Sequence, residues 1–241
     1  MRLFDIHCHI LPGVDDGSRD MDMSMDMLDI AYEEGTRDII LTPHYMLDDI
    51  SYDHNKLEEI FAELSSKAKE RYPDLNLYLG NEVLWENGIM EKLKSGDIHT
   101  MNNTKYVLVE FNIRTSYNEL CDAMNQLVMA RYIPIIAHVE RYRCLVDRLD
   151  RIEELVNMRV LLQMNISSVE GGFLNEDTRW CRKLLKNDYI TFLATDAHNV
   201  DSRAPYVNEY LKKLRKKCGE ELTQWMLEDA AKIMVEGGRI D

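Results

Sequence analysis

The chain alternates short apolar segments with longer amphipathic ones. Seven short segments are apolar, often β-branched, and have the length of buried strands. They are RLFDIHC (2–8), DIILTPH (38–44), LYLGNEV (77–83), YVLVEFN (106–112), IPIIAHV (133–139), VLLQMNI (160–166) and ITFLATD (190–196). Helix-like segments separate or follow them at 21–34, 54–71, 117–131, 146–157, 176–187, 204–217 and 220–236. Gly35 and Pro73 follow the first two of these, where a helix would stop.

This alternation predicts the fold class. Strands that alternate strictly with helices indicate parallel strands joined by helical crossovers. Seven such units within 241 residues favour a barrel over an open sheet, so we predict an α/β fold of the TIM-like (β/α)7 type. Barrels of this kind commonly use this length as one unit, and residues 1–241 are expected to form a single domain.

Polar side chains interrupt the apolar strands at the same end each time. The C-terminal end of every predicted strand carries, or is followed by, a histidine, a carboxylate or an amide. In chain order these are His7, His9, His44, Glu82, Glu110, His138, Asn165, Asp196 and His198. Because the C-terminal ends of parallel barrel strands meet at one mouth, where barrel enzymes keep their active sites, we expect these side chains to lie close together.

The residue types in this group indicate a metal centre. Histidine and carboxylate side chains suit divalent transition metals, and no thiolate is required. His7 and His9 stand one residue apart, so on a strand both imidazoles project to one side and reach one ion. Nine ligands are predicted, which is more than a single ion accepts, so two or three ions are implied. The nine are His7, His9, Asp16, His44, Glu82, Glu110, His138, Asp196 and His198.

Charge and composition narrow the ligands that such a centre can take. The formal net charge of −14 argues against nucleic acid as a partner, because nucleic-acid binders usually carry a basic face. An anionic substrate must therefore be met by metal ions or by clustered arginines, which grip phosphate with paired hydrogen bonds. Arg141 and Arg203 follow the fifth and seventh predicted strands and are candidates, while the role of Arg143 stays undecided. His54 and His99 fall in helix and loop contexts and are expected to be solvated structural residues.

The cysteines do not supply the chemistry. The five are widely spaced, lack a Cys-x-x-Cys pair, and are expected to be reduced thiols. Cys8 follows His7, as in cysteine-dependent tyrosine phosphatases, but that mechanism needs arginine six positions later and Val14 stands there. None of the other cysteines is followed by such an arginine either. Cys8 is therefore predicted to be a small buried residue.

The expected location is cytoplasmic. The N-terminus lacks the apolar stretch of a secretory signal, and no run approaches the roughly 18 apolar residues that a membrane span requires, so no membrane insertion is expected. Association into homo-oligomers stays open, because a helix face that pairs two copies has the same amphipathic pattern as one that packs on the barrel.

Six motifs in this order resemble one known family. They are DIHCHILPGVDDG, TPHY, GNEV, VEFN, AHVERY and ATDAHNVDSRAP. From residue 3 to about 210 the chain resembles the polymerase and histidinol phosphatase (PHP) superfamily. Within it, the chain is most similar to the metal-dependent protein-tyrosine phosphatases of bacterial capsular and exopolysaccharide operons, the CpsB/CapC family.

The resemblance implies a distorted seven-stranded barrel, three divalent ions, most often manganese with iron or zinc as alternatives, and a tyrosine autokinase as phosphorylated partner. Carried onto this sequence, it implies three ligand sets: His7, His9, Glu82 and Asp196; Glu82, Glu110 and His138; and Asp16, His44 and His198. Arg141 and Arg203 correspond to the family's phosphate-binding arginines. We expect a metal-activated hydroxide to hydrolyse phosphotyrosine, with Asp196 and His198 as further candidate catalytic residues.

Two other functions are open at the level of sequence. The segment after TPHY reads MLDDISYD, where relatives often carry basic residues, and this favours a small phosphate ester such as histidinol phosphate as an alternative substrate. A non-catalytic, metal-stabilised docking module is the alternative of another class. The complete set of nine ligands argues against such a module, because degenerate relatives would be expected to lose ligands.

Overall fold

A computed structural model of the protein describes residues 2–47, 52–170 and 175–240. Within these ranges the strands are β1 (Leu3–Cys8), β2 (Thr36–Leu41), β3 (His44–Tyr45), β4 (Asn76–Leu79), β5 (Glu82–Leu84), β6 (Tyr106–Glu110), β7 (Ile133–Ile136), β8 (Leu161–Asn165) and β9 (Phe192–Ala194). The helices are α1 (Met21–Glu33), α2 (His54–Arg71), α3 (Ile89–Ser95), α4 (Tyr117–Met129), α5 (Leu149–Asn157), α6 (Glu176–Lys186), α7 (Asn208–Gln224) and α8 (Ala230–Val235). Four residues of the acidic segment after TPHY, 48–51, lie outside the described part of the chain.

The strands pair in parallel around a distorted barrel. One sheet has the order β1-β2-β4 and the other the order β3-β5-β6-β7-β8-β9. Only two residues separate β2 from β3, and two separate β4 from β5, so each pair is one interrupted strand. The ring closes where Asp196 N donates to His7 O at 2.8 Å and His9 N donates to Ala197 O at 2.8 Å. The prediction of an α/β barrel with seven strand positions is confirmed.

The two interruptions have a local cause. Pro43 lacks the N–H that a continuous strand would need, and Glu82 N pairs with Pro43 O at 3.1 Å just beyond the break. At the neighbouring break, a Cβ on Gly80 would lie 3.0 Å from the Met101 sulfur and 3.3 Å from Ile40 Cγ2. A side chain at this position would therefore crowd two core residues, and the strand continues past a glycine.

A bulge in β1 separates the barrel core from its mouth. Asp5 pairs with Ile39 and Cys8 with Leu41, so Ile6 and His7 together stand opposite the single residue between those partners. Ile6 belongs to the apolar cluster inside the barrel, whereas His7 faces the carboxylates at the mouth. Members of that cluster come from most of the barrel strands, and α8 packs beneath it. As predicted, Cys8 is fully buried, and it packs against the α1 and α2 layer.

The predicted helices are largely confirmed. The α1 helix is capped by the Asp20 side chain, which accepts from Met23 N at 2.8 Å. The segments predicted as separate helices at 204–217 and 220–236 are separated by a break within α7 at Gly219, whose backbone is not helical (φ 83°, ψ 169°). The second segment continues through a π-helical turn, Trp225–Asp229, into α8. The short α3 helix was missed. Among the described residues, no helix has both the length and the apolar character of a membrane span.

Candidate metal centre

The nine predicted ligands meet at the mouth of the barrel. Six of them, His7, His9, Glu82, His138, Asp196 and His198, are buried. His44 and Glu110 are about one-fifth exposed, and Asp16 reaches in from the loop between β1 and α1 with a largely exposed side chain. We call these nine side chains the histidine–carboxylate cluster. The structure thus brings together all nine side chains that the sequence predicted as metal ligands.

The first group of donors comes from three places in the barrel: the end of β1, the start of β5 and the segment that follows β9. His7 Nε2 lies 3.1 Å from Glu82 Oε2 and 3.5 Å from Asp196 Oδ1. His9 Nε2 lies 3.2 Å and 3.6 Å from the same two oxygens, and 3.3 Å from His7 Nε2. Ligand atoms about 2.0 to 2.2 Å from one ion are separated by about 3 to 3.5 Å in tetrahedral or octahedral geometry, so these four donors fit a single ion.

The second group shares Glu82 with the first. His138 Nε2 lies 2.9 Å from Glu82 Oε1 and 3.7 Å from Glu110 Oε2. His44 Nδ1 stands on the same side, 3.2 Å from Glu82 Oε2 and 3.0 Å from Glu110 Oε1. This nitrogen is buried and makes no well-directed hydrogen bond with the described residues in spite of these short distances. Such crowding without hydrogen bonding fits donors that surround a cation.

The third group is the most accessible. Asp16 Oδ1 lies 3.4 Å from His44 Nε2 and 3.4 Å from His198 Nε2. His198 Nδ1 is 2.9 Å from the backbone oxygen of Asp196, which makes Nδ1 the protonated nitrogen and leaves the Nε2 lone pair free for an ion. His44 therefore stands between two groups, with one ring nitrogen toward each of them.

In the absence of metal ions, protonated histidines balance the negative charge of the carboxylates in the cluster. Burial alone would raise the pKa of Glu82, but His7, His138 and His9 hold it well below its ordinary value. Burial opposes the charged form of His9 as well, yet Asp15 and Glu82 raise its pKa to about 10. In the same way Glu110 and Glu82 raise the pKa of His138 to about 9. Ions that enter this cluster would therefore displace protons.

Asp15 orients one of the ligands. Its Oδ2 lies 2.8 Å from His9 Nδ1 and accepts from His44 N at 3.2 Å, while its Oδ1 accepts from Gly17 N at 2.9 Å. A carboxylate at Nδ1 holds the proton there and turns the Nε2 lone pair toward the ion. Asp15 thus orders the loop, and it also fixes the tautomer of His9.

A buried amide network supports the opposite side of the centre. Gln163 Oε1 accepts from His138 N at 2.7 Å and lies 3.1 Å from His7 Nδ1. Gln163 Nε2 donates to Asn165 Oδ1 at 3.0 Å, and Asn165 Nδ2 donates to Asp196 Oδ2 at 2.8 Å. The sequence prediction missed Gln163 as a functional residue. Its signal was an amide in the middle of an apolar strand.

Two ligands sit on left-handed backbone. His138 has φ +33° and Asp196 has φ +53°, and both come directly after a barrel strand. Non-glycine residues in this region carry a cost of about 1 to 3 kcal/mol, which surrounding contacts must offset. At Asp196 those contacts include the backbone bond to His7 O that closes the barrel.

The two candidate phosphate-binding arginines lie at the edge of the cluster. Arg141 Nη2 donates to Asp196 Oδ2 at 3.0 Å, and Arg203 Nη2 lies 2.9 Å from the same oxygen. Both side chains are about 40 % exposed, at 41 % and 39 %, so each can turn part of its guanidinium toward a ligand in the mouth. Arg143 is exposed, and no side-chain partner for it is found within the described residues.

The prediction that His54 and His99 are solvated is wrong for His99. Its side chain is buried, with 5 % of the residue exposed, and its ring stacks on that of His54 with 4.0 Å between the centroids. No sequence pattern marks this contact, because it joins the start of α2 to the loop after α3.

The sequence is similar to one known protein family and to several of its named members. The family described as "Capsular polysaccharide synthesis, CpsB/CapC" matches residues 3–236. The tyrosine-protein phosphatase CpsB of Streptococcus agalactiae is 31% identical over 238 residues, which cover 96% of this chain and 98% of that protein. The tyrosine-protein phosphatase YwqE of Bacillus subtilis is 30% identical over 232 residues, or 96% of this chain and 91% of that protein.

Solved structures agree with these relatives. A structure from work on YwqE from Bacillus subtilis and CpsB from Streptococcus pneumoniae, described as unique metal-dependent tyrosine phosphatases, has a TM-score of 0.90 and 30% identity and covers 99% of this chain and 96% of its own. Histidinol phosphate phosphatase from Lactococcus lactis, solved with zinc, L-histidinol and phosphate, has a TM-score of 0.62, with 90% and 92% covered. At 15% identity, this second similarity concerns the fold alone.

Proposed function

The chain belongs to the CpsB/CapC family and is a metal-dependent protein-tyrosine phosphatase, and we propose that the histidine–carboxylate cluster is its active centre. One observation carries this proposal. Three groups of donors, each spaced to fit one ion, meet at a single barrel mouth; Glu82 belongs to two of them, and His44 stands between the second and the third. A purely structural role does not account for so many buried ionisable groups, which are costly without partners.

Three divalent ions complete the proposal. His7, His9, Glu82 and Asp196 would hold the first; Glu82, Glu110 and His138 the second; and Asp16, His44 and His198 the third. Manganese is the favoured metal, with iron or zinc as alternatives, since histidine and carboxylate suit all three. When bound, such ions supply a water nucleophile of lowered pKa and positive charge for the phosphate.

The protein itself positions the substrate. We assign the nonbridging phosphate oxygens to Arg141 and Arg203, whose guanidinium groups converge on Asp196 Oδ2 from the rim. Asp196 thereby has two tasks, because its Oδ1 faces the first ligand group while its Oδ2 anchors both arginines. His198 stays neutral, since burial and His9 lower its pKa to about 4, and it serves as a ligand rather than as an acid.

The biological setting follows from the family. We propose that the substrate is the phosphotyrosine of a partner tyrosine autokinase that regulates capsular or exopolysaccharide synthesis, and that the reaction takes place in the cytoplasm. We also propose that residues 1–241 act as one phosphatase domain. No nucleic acid or membrane insertion is needed for this function, and homo-oligomerisation is compatible with it.

The decisive experiment measures the conservative variant Asp196→Asn. It should remain folded and lose nearly all activity on a phosphotyrosine peptide with added Mn²⁺. If the purified variant held a normal metal content and kept most of its activity, the centre would not be catalytic. A parallel assay of the wild-type protein on histidinol phosphate tests the small-ester alternative, and turnover of neither substrate would favour the docking module.

A further inference from the structure

A second group of potential ligands lies outside the histidine–carboxylate cluster. His54 begins α2, Glu58 lies one turn further along the same helix, and His99 lies in the loop after α3. Their donor atoms all fall within 4.8 Å of one another. His54 Nε2 is 3.6 Å from Glu58 Oε1. Two imidazoles and one carboxylate form a donor set that binds zinc and similar ions, with solvent in the remaining position.

Two ring nitrogens in this group lack hydrogen-bond partners. Nε2 of the buried His99 and Nδ1 of His54 are both shielded from solvent, and neither has a partner within the described residues. A buried polar atom without a partner costs about 1 to 3 kcal/mol, so it indicates a ligand or ion that satisfies it. Burial, and then His54, lower the pKa of His99 to about 4, so its ring is neutral and able to coordinate.

The rings of His54 and His99 are stacked, and this arrangement does not direct their nitrogens toward one ion. The two imidazoles stack at 8° to each other, so the lone pairs of their nitrogens lie in parallel planes and do not converge on one point. His99 is fixed by burial. His54 has a side chain that is 33% exposed and occupies the first turn of α2, where it can turn about its side-chain bonds. Coordination of one ion by all three donors therefore requires the His54 ring to turn out of the stack and the exposed Glu58 side chain to adjust.

The surroundings of this group are rigid. His99 N donates to Asn81 Oδ1 at 2.8 Å, Tyr52 OH donates to the same oxygen at 3.1 Å, and Asn81 Nδ2 donates to Pro43 O at 2.9 Å. Asn81 directly precedes the ligand Glu82. The side-chain amide of Asn81 therefore holds the backbone of His99 in place, next to the start of β5 where Glu82 lies.

From these observations we propose that His54, Glu58 and His99 form a separate site for a divalent transition-metal ion of the zinc type. The ion would fasten the beginning of α2 to the loop after α3. This site differs from the catalytic centre in its donors, which include no strand residue, and it does not depend on the proposed phosphatase mechanism.

Counting bound ions tests the proposal. Wild-type protein is saturated with Zn²⁺, freed of excess ion by gel filtration, and its ion count is measured by native mass spectrometry. His54→Asn and Glu58→Gln should each hold one ion fewer than the wild type, or bind it at least about tenfold more weakly, because even outer-shell changes cost tenfold or more. Glu59→Gln, an exposed neighbour on α2, is the matched control and should keep the full count.

The position of the bound ion is tested on the wild-type protein, so the result does not depend on whether a variant folds. A crystal of the wild-type protein soaked in ZnCl₂ should show an anomalous difference peak between the three side chains, in addition to peaks in the catalytic centre. Mn²⁺-supported phosphatase activity of Glu58→Gln should equal that of the wild type. Equal ion counts in wild type, His54→Asn and Glu58→Gln, or the absence of the anomalous peak, would overturn the proposal.

Discussion

Asp15→Asn is the most informative perturbation of the centre, because Asp15 touches no ion in the proposed scheme and acts through His9. The carboxylate accepts from His9 Nδ1, Gly17 N and His44 N, all through well-placed oxygens. Asparagine keeps the shape and can still accept from Gly17, but its amide can donate to His9 Nδ1. The proton of His9 then moves to Nε2, the nitrogen that faces Glu82 and Asp196.

The expected loss of metal affinity follows from the contact between Asp15 and His9 Nδ1. Loss of an outer-shell carboxylate typically lowers metal affinity about 10- to 100-fold, which corresponds to about 1.4 to 2.7 kcal/mol. The Mn²⁺ concentration that gives half-maximal activity should therefore rise by this factor. Activity at saturating Mn²⁺ should recover to near the wild-type value, since the ligands themselves are retained.

The assay is hydrolysis of a phosphotyrosine peptide across a series of Mn²⁺ concentrations, after chelation of endogenous metal. Asp22→Asn removes the same charge from an exposed position on α1 and is the matched control, expected to leave the activation curve unchanged. An unchanged curve for Asp15→Asn, or a loss of activity that no Mn²⁺ concentration restores, would refute the assignment of Asp15 as an orienting residue.

Four further predictions concern the rim, the loop and the protons of the centre. Arg203→Ala should raise KM for a phosphotyrosine peptide about tenfold or more, because it removes one charge-assisted hydrogen bond to the phosphate. Arg143→Ala is the control and should leave KM unchanged. Equal KM values in the two variants would remove Arg203 from the site. Gly17→Ala would place a Cβ 2.1 Å from His9 O, so we expect a loss of about 1 to 3 kcal/mol in unfolding free energy, and unaltered thermal unfolding would contradict this. Because His9 and His138 have pKa values of about 10 and 9, Mn²⁺ binding at pH 7.5 should release protons, detectable by calorimetry in buffers of different ionisation enthalpy. The same raised pKa values stabilise the metal-free protein fully below about pH 6.5, and denaturant titrations should show that this contribution is lost as the pH rises through about 9 to 10.

The clustering of these side chains could be predicted from the sequence because its signal is repeated. A polar residue at the end of every apolar strand leaves few alternatives once the strands are parallel, and eight of the nine side chains of the cluster lie at such strand ends, while Asp16 reaches in from a loop. Barrel geometry brings distant residues such as Glu82 and Asp196 together without further information from the chain.

The supporting contacts were not predictable in the same way. Asp15 and Gln163 act through small sets of hydrogen bonds that join separate loops and strands, and no periodicity marks such contacts. The α3 helix was missed because its seven residues give less than two full turns of pattern. His99 was misplaced because its burial depends on a helix start far away in the chain.

The bulge in β1 has a consequence for how freely this barrel can vary. In a regular strand, side chains point alternately to the two faces of the sheet. Residues that fill the barrel interior and residues that line its mouth would then all have to fall on the same alternate positions. The extra residue shifts that alternation between Ile6 and His7, and lets Phe4 and Ile6 fill the interior while His7 and His9 still face inward above them. If the same residues followed an unbroken alternation with Phe4 and Ile6 inside the barrel, both imidazoles would instead point toward the helices. The irregularity therefore lets one strand both fill the floor of the barrel and present two histidines at its mouth.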